Sequence, residues 1–231
     1  MAGEISPGAA LDSRRYWGHE VVKVTLYVEG GGDRSELRTA CRKGFKEFIT
    51  NAGIKDHPRV VACGSRSDAF DSYCIAIANG KKALLLIDSE APVADQHQQG
   101  ADTNQWQPWA HLKNRQDDAW EQPAGASDTD CHLMIQCMEN WFLADRTTLK
   151  NFFGQGFKEN KLPAHRSIEQ VAKNEVYSAL AYATQGCKTK APYGKSEHSF
   201  KLLAEVDPGR ITAASPWAKR FVDALKKKMH S

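Results

Sequence analysis

The chain has 231 residues, a formal net charge of +3 and 26% charged residues, which is an ordinary globular composition. So small a net charge does not by itself indicate nucleic-acid binding, and no apolar run approaches the roughly 20 residues of a membrane span. The six cysteines lack the spacing of a metal site or disulfide framework, and the N-terminal sequence lacks the apolar segment of a signal peptide. A cytoplasmic protein with reduced thiols is therefore expected.

The first predicted strand follows an irregular, polar N-terminal arm over residues 1–20. Val21–Val28 is apolar on both faces, which is typical of a strand buried on both sides in a parallel sheet. Three glycines, Gly30–Gly32, end this strand, and the sequence DRSE at Asp33–Glu36 has the form of a capping box. It predicts a helix that ends near Gly53, with Asp33 as a cap rather than a catalytic residue.

Strands and helices then alternate along the chain. His57–Gly64 is a second strand candidate, Asp68–Asn79 a second helix and Lys82–Ile87 a third strand. This order predicts an α/β fold with a mainly parallel, Rossmann-like sheet flanked by helices and joined by right-handed crossovers.

An insertion over residues 91–130 breaks the alternation, because it is polar, poor in aliphatic residues and too long for an ordinary loop. Pro108–Trp120 is its helix candidate. Its tryptophans, Trp106, Trp109 and Trp120, suit either stacking on nucleic-acid bases or anchoring the insertion to the core, and anchoring is the commoner use. The insertion either covers a site or stays mobile.

The sheet resumes at Cys131–Cys137, and Met138–Asp145 has a helical pattern. Further helices are predicted at Thr147–Phe153, Ser167–Ala183, Ser199–Val206 and Ser215–Lys228. The predicted organisation is an α/β core over residues 21–145 and a helical extension over residues 146–231 packed on that core. Cys131, His132 and Cys137 have the wrong spacing for a zinc finger, so they are interpreted as core residues.

Acidic residues follow two of the predicted strands. Glu29 comes directly after the first, and Asp88 and Glu90 follow the third. The carboxyl ends of parallel strands share one edge of a sheet, so these three side chains are expected to meet there. Asp88 and Glu90 are two residues apart and would point to the same side of an extended segment. Since no basic residue lies in these segments, Mg²⁺ is the expected compensating charge, with Mn²⁺ as an alternative.

Two nucleotide-binding motifs are excluded by the residues themselves. A dinucleotide-binding fingerprint requires a third glycine where Ser35 stands, and a phosphate-binding P-loop requires a Gly-Lys-Ser/Thr that is absent. The glycines after Glu29 are instead interpreted as a tight turn, which also allows close approach of a ligand to the backbone.

Together, a strand followed by Glu-Gly and a later strand followed by Asp-x-Glu resemble the Toprim fold of topoisomerases, primases and OLD-type nucleases. The segments CHLMIQCMENWFLAD (131–145) and YGKSEHSFKLL (193–203) resemble a family of small bacterial Toprim-like proteins whose relatives are often linked to ATPases in anti-phage defence. The Toprim-like motifs extend over roughly residues 21–145. In Toprim proteins the second acidic position of this pair is more often Asp, whereas here it is Glu90. Its longer side chain still allows metal binding, and the resemblance does not fix the coordination geometry.

This resemblance implies that Glu29 is a general acid or base and that Asp88 and Glu90 bind Mg²⁺. Glu139 follows the fourth strand and is either a further metal-binding or supporting carboxylate, or an acidic residue in the first turn of a helix. Lys195 and His198 would share a helical face, where both could contact a scissile phosphate. The alternative for these two residues is a solvated helix start.

These observations predict a Mg²⁺-dependent nuclease that cuts DNA or RNA, including tRNA, and acts with an ATPase partner. The alternative is a non-catalytic regulatory or scaffold subunit that binds metal or a nucleotide signal; a third reading is another phosphoryl transfer such as primer synthesis. The modest net charge is unusual for a free-standing nuclease, because phosphate contacts normally come from many Lys and Arg residues. No membrane association is expected, and the sequence leaves a homo-oligomer open.

Overall fold

The computed structural model describes residues 24–164 and 167–230, so the predicted N-terminal arm and the first residues of the predicted first strand lie outside it. Four strands form one sheet, in the order β2-β1-β3-β4, and every neighbouring pair is parallel. The strands are β1 (Thr25–Gly31), β2 (Arg59–Gly64), β3 (Ala83–Asp88) and β4 (Cys131–Met134). The predicted α/β fold with a parallel sheet is confirmed.

Eight α-helices and several short 3₁₀ turns are the other regular elements of the described chain. The helices are α1 (Ser35–Asn51), α2 (Arg66–Ala78), α3 (Pro108–Asn114), α4 (Arg146–Phe153), α5 (Lys173–Thr184), α6 (Lys195–Glu205), α7 (Pro208–Ala214) and α8 (Pro216–Met229). Two differences from the sequence prediction stand out. The segment Met138–Ala144 is 3₁₀ rather than α-helical, and α5 begins at Lys173, after a separate 3₁₀ turn.

The central strand β3 is buried along its whole length, because helices cover both faces of the sheet. Leu84 and Leu86 face a hydrophobic cluster that also contains α1 and the C-terminal helices. Leu85 and Ile87 face a second cluster, formed with α2 and the insertion. This alternation is why β3 is an unbroken apolar run. The C-terminal helices thus share one core with β1 and β3.

The insertion over residues 91–130 lies on the α2 side of the sheet, and its tryptophans anchor it there. The ring of Trp120 stacks on Phe70 with centroids 4.4 Å apart, and Trp109 contacts Tyr73 at 5.8 Å. Trp106 is buried against Trp217 of α8. The anchoring interpretation is confirmed, and Cys131, His132 and Cys137 are likewise fully buried core residues.

The capping box predicted at the start of α1 is wrong. Arg34 occupies the N-cap position without a side-chain hydrogen bond, and the side chain of Asp33 is fully exposed, 4.0 Å from Arg38. A genuine capping box occurs at the start of α2, where Ser65 and Asp68 satisfy each other's backbone N–H groups.

Helices α1 and α6 pack closely at Gly44. A Cβ atom at this position would lie 2.6 Å from the carbonyl oxygen of Phe200, which is backbone and cannot swing away. We expect Gly44→Ala to lower the free energy of unfolding by about 1–2 kcal/mol, because overpacking of about 1–3 kcal/mol exceeds the helix propensity gained, about 0.5–1 kcal/mol. Urea denaturation followed by tryptophan fluorescence measures this change.

Gly186→Ala is the matched control, because a Cβ atom there would meet its nearest neighbour at an ordinary 3.4 Å. A Gly44→Ala variant as stable as this control would contradict the close packing of α1 on α6.

Candidate active site

The carboxyl ends of β1 and β3 bring three acidic side chains together. Oxygen atoms of Glu29, Asp88 and Glu90 all lie within 4.8 Å of one another. Glu29 is the fifth residue of β1, Asp88 is the last residue of β3, and Glu90 follows two residues later. The predicted convergence therefore occurs, and it follows from the parallel pairing of β1 with β3.

The geometry of Glu90 differs from the extended segment that we predicted. Its φ angle is 64°, in the left-handed region that side chains other than glycine rarely adopt. The chain nevertheless stays paired beyond β3, because Glu90 donates its backbone N–H to the carbonyl oxygen of Gln136 at 2.9 Å. A local reversal of the backbone, rather than two-residue alternation, directs Glu90 toward Asp88.

Asp88 is the buried centre of this cluster. Its Oδ1 accepts the backbone N–H of Met138 at 2.8 Å, and its own backbone N–H donates to Oε2 of Glu29 at 3.1 Å. Burial, and then the nearby carboxylates of Glu29 and Glu139, raise the pKa of Asp88 to about 8. Burial also raises the pKa of Glu29, an effect that Arg66 opposes.

Two cations reach the acidic cluster from helices. Nζ of Lys173 lies 3.3 Å from Oδ2 of Asp88 and 2.5 Å from Oε1 of Glu90. Arg66 places Nη1 3.8 Å from Oε2 of Glu29 and also donates to the backbone carbonyl of Asp88. Lys173 and Arg66 thus supply positive charge that the strand segments themselves lack, and metal binding by these acids stays a prediction.

The insertion holds Arg66 in place. Asp118 accepts a hydrogen bond from Nη2 of Arg66 at 2.6 Å and another from Nε of Arg115 at 2.7 Å. The guanidinium group of Arg66 also lies over the ring of Trp120, 5.2 Å from its centroid. The insertion thus fixes the side chain of Arg66 beside Glu29 and Asp88.

Glu139 is completely buried beside this cluster and is held by hydroxyl groups. Its Oε1 accepts hydrogen bonds from Ser199 at 2.9 Å and from Tyr193 at 3.2 Å, and its Oε2 accepts one from Tyr177 at 3.2 Å. Glu139 lies outside the group of carboxylates within 4.8 Å. These hydrogen bonds suit a carboxylate that holds neighbouring side chains in place, and metal binding by Glu139 stays a prediction.

Lys195 and His198 have different environments although they share α6. Nζ of Lys195 donates to the hydroxyl of Tyr177 at 3.1 Å, and its side chain lines a cavity of about 250 Å³ together with Glu29, Asp88 and Glu139. His198 is buried against Phe153, and its Nδ1 accepts the N–H of Gly194. Both readings of His198, phosphate contact and solvated helix start, are therefore wrong.

The glycines after Glu29 allow close packing beside this cavity. A Cβ atom on Gly30 would lie 2.9 Å from the Phe200 ring, and one on Gly31 would lie 2.7 Å from Cα of Arg38. Gly30 and Gly31 also have φ angles of 131° and 91°. Both positions require glycine, because α1 and α6 meet the end of β1 here.

The three carboxylates fit a divalent metal ion by their chemistry. Mg²⁺ and Mn²⁺ prefer carboxylate oxygens and retain several waters, for which the adjoining cavity leaves room. Glu29, Asp88 and Glu90 are the residues that would hold the ion, and Lys173 is the cation that shares their charge.

Metal binding at this site is expected to depend on pH, because Asp88 must lose its proton to become a ligand. With a pKa of about 8 for Asp88, the affinity for Mg²⁺ should rise about tenfold per pH unit below that value and level off above it. Isothermal titration calorimetry between about pH 6.5 and about pH 9 measures this dependence. An affinity that stays constant over this range would contradict the assignment of Asp88 as a ligand.

Comparison with known proteins identifies the family. Residues 28–226 match a family described as a domain of unknown function (DUF4276). The chain belongs to this family. No curated protein and no solved structure matches it. The match includes all three carboxylates and the helices that carry Lys173 and Lys195, so strands and C-terminal helices form one family unit. None of the described helices is both long and apolar enough to cross a membrane.

Proposed function

We propose that this DUF4276 chain is a divalent-metal-dependent nuclease that cuts phosphodiester bonds in DNA or RNA. The observation that carries the proposal is the convergence of Glu29, Asp88 and Glu90 within 4.8 Å, beside a cavity that Lys195 also lines. Phosphodiester cleavage requires charge stabilisation at the phosphate and a group that moves a proton. The site offers candidates for both tasks.

Each residue has a role suited to its surroundings. Asp88 and Glu90 would bind the metal, which when bound supplies a Lewis acid for a phosphoryl oxygen and lowers the pKa of a water molecule. Glu29 would move the proton, since burial raises its pKa toward the range useful for acid–base catalysis. Lys195 borders the cavity from α6 and would contact the phosphate.

The resemblance to Toprim proteins of the OLD-type nucleases supports the same reaction, and through it an ATPase partner in anti-phage defence. An ATPase partner also fits the chain's small net charge of +3, because the partner can supply the surface that binds the nucleic-acid phosphates. We propose a cytoplasmic location, which the six free thiols support.

The test incubates the purified chain, with and without a co-purifying ATPase and ATP, with labelled DNA and total tRNA in Mg²⁺ or Mn²⁺. We expect cutting that requires the divalent ion and falls at least about a hundredfold in Glu29→Gln. Cutting that survives in this variant would exclude the assigned site.

One observation favours the alternative of a regulatory or scaffold subunit. Lys173 already pairs with Asp88 and Glu90, so the acidic cluster is neutralised in part without a metal. The absence of cutting with any nucleic acid, ion or partner would favour this alternative, in which the site binds a metal or nucleotide signal without turnover.

A further inference from the structure

A second cavity of about 340 Å³ lies between α1, α6 and the segment around Lys190. Phe200 lines both this cavity and the acidic one, so the two are neighbours on either side of one aromatic residue. We name this second cavity the α1–α6 groove. Its polar lining consists of three lysines and a single glutamate, namely Lys43, Lys190, Lys201 and Glu205.

Two of the three lysines have ammonium groups available for a ligand. Lys190 is already engaged, because its Nζ donates to the backbone carbonyl oxygen of Phe152. The same Nζ lies 4.3 Å from the centroid of the Phe152 ring. Lys43 and Lys201 are exposed, and neither forms an ion pair or hydrogen bond within residues 24–164 and 167–230. The groove therefore presents net positive charge next to the acidic cavity.

Aromatic surface and positive charge in one groove are the features that bind unpaired nucleotides, since a base packs on a ring while lysines hold the backbone phosphate. Phe200, which is partly exposed, supplies the ring in this case. A groove of this volume suits one nucleotide, and a base that is paired in a duplex cannot enter it. A scaffold that only binds metal would have no use for such a groove.

We propose that the α1–α6 groove binds a flanking nucleotide of a single-stranded nucleic acid whose scissile phosphate lies at Glu29, Asp88 and Glu90. This inference rests on the proposed nuclease function and specifies its substrate as single-stranded. Lys43 and Lys201 contact the two phosphates on either side of this nucleotide, and the strand passes over Phe200 between the groove and the acidic cavity.

The test measures binding of a labelled twelve-nucleotide single strand, as DNA and as RNA, by fluorescence anisotropy. The full chain carries Asp88→Asn so that the probe is not cut. Adding Lys43→Ala and Lys201→Ala together is expected to weaken binding about tenfold and to lower the slope of log affinity against log salt by about 1.4, the value for two phosphate contacts. Lys226→Ala with Lys227→Ala, at the exposed end of α8, removes the same charge and is expected to change affinity little.

The same probe annealed to its complement is expected to bind the Asp88→Asn parent more weakly than the single strand does. Adding Lys43→Ala and Lys201→Ala is expected to leave this duplex affinity unchanged. If the Asp88→Asn parent binds the single strand equally well with and without Lys43→Ala and Lys201→Ala, the proposed binding in the groove is contradicted. The nuclease proposal would still stand. If the two lysine substitutions weaken duplex binding as much as single-strand binding, the substrate is not specifically single-stranded. A parent that binds no oligonucleotide, alone or with its co-purifying ATPase, would overturn the groove, and the cleavage assay on the chain with Asp88 intact tests the nuclease proposal separately. Thermal unfolding, and the single variants Lys43→Gln and Lys201→Gln, exclude a folding defect as the cause of lost binding.

Discussion

Asp88→Asn is expected to abolish metal-dependent phosphodiester cleavage, with a loss of more than about a hundredfold, and to leave the fold intact. The loss follows because Asp88 is the central carboxylate of the cluster. The fold should survive because the amide retains the shape of the side chain, and its Oδ1 can still accept the N–H of Met138. The neutral form is also well tolerated here, since the pKa of Asp88 is about 8.

Three measurements test this expectation, namely cleavage of labelled nucleic acid, calorimetric titration with Mg²⁺, and the midpoint of thermal unfolding. Asp223→Asn is the matched control, because Asp223 is an exposed aspartate of α8 whose one ion pair within the described residues is with a lysine one turn away. An Asp88→Asn variant that cuts at the rate of this control would exclude the proposed site.

Glu139→Ala is expected to lower the free energy of unfolding by about 2–4 kcal/mol, because it opens a cavity and leaves buried hydroxyl groups without an acceptor. Tyr193 and Ser199 lose their shared partner, and Tyr177 no longer links Glu139 to Lys195. The variant should therefore also lose activity, by displacing Lys195 from the edge of the cavity.

Urea denaturation measures the stability, and Glu159→Ala on the surface is the control. Glu139→Gln then separates support from ligation, because it preserves the size of the side chain. A supporting residue predicts a fall in Mg²⁺ affinity of no more than about a hundredfold, whereas a direct ligand predicts a larger loss. A loss above about a hundredfold would make Glu139 the fourth metal ligand.

The acidic edge could be predicted from the sequence because it depends on two local patterns and one general rule. Apolar runs located β1 and β3, and the rule that parallel strands end at one edge brought Glu29 and Asp88 together. The alternation of strands and helices was sufficient for the order of the core elements. The predicted cap on α1 failed because the helix begins one residue later than the pattern indicated, so that Arg34 and not Asp33 occupies the N-cap position.

The cations of the site could not be predicted in the same way. Lys173 is separated by 85 residues from Asp88 and begins a helix whose first turn carries no pattern that points to the sheet. Arg66, by contrast, could have been predicted from the sequence, because it follows β2, a strand that ends at the same edge of the sheet as β1. His198 was misjudged because its polar neighbours in sequence conceal the phenylalanines that surround it in space.

The position of Lys173 has a consequence for how the site is loaded. Carboxylates this close together repel one another unless protonation or a nearby cation offsets their charge. Here an ammonium group tethered to α5 keeps Asp88 and Glu90 together. Binding of the proposed metal would therefore exchange one cation for another, and its free energy would be the difference between two occupied states. Without a metal, the ammonium group of Lys173 already supplies positive charge to both carboxylates.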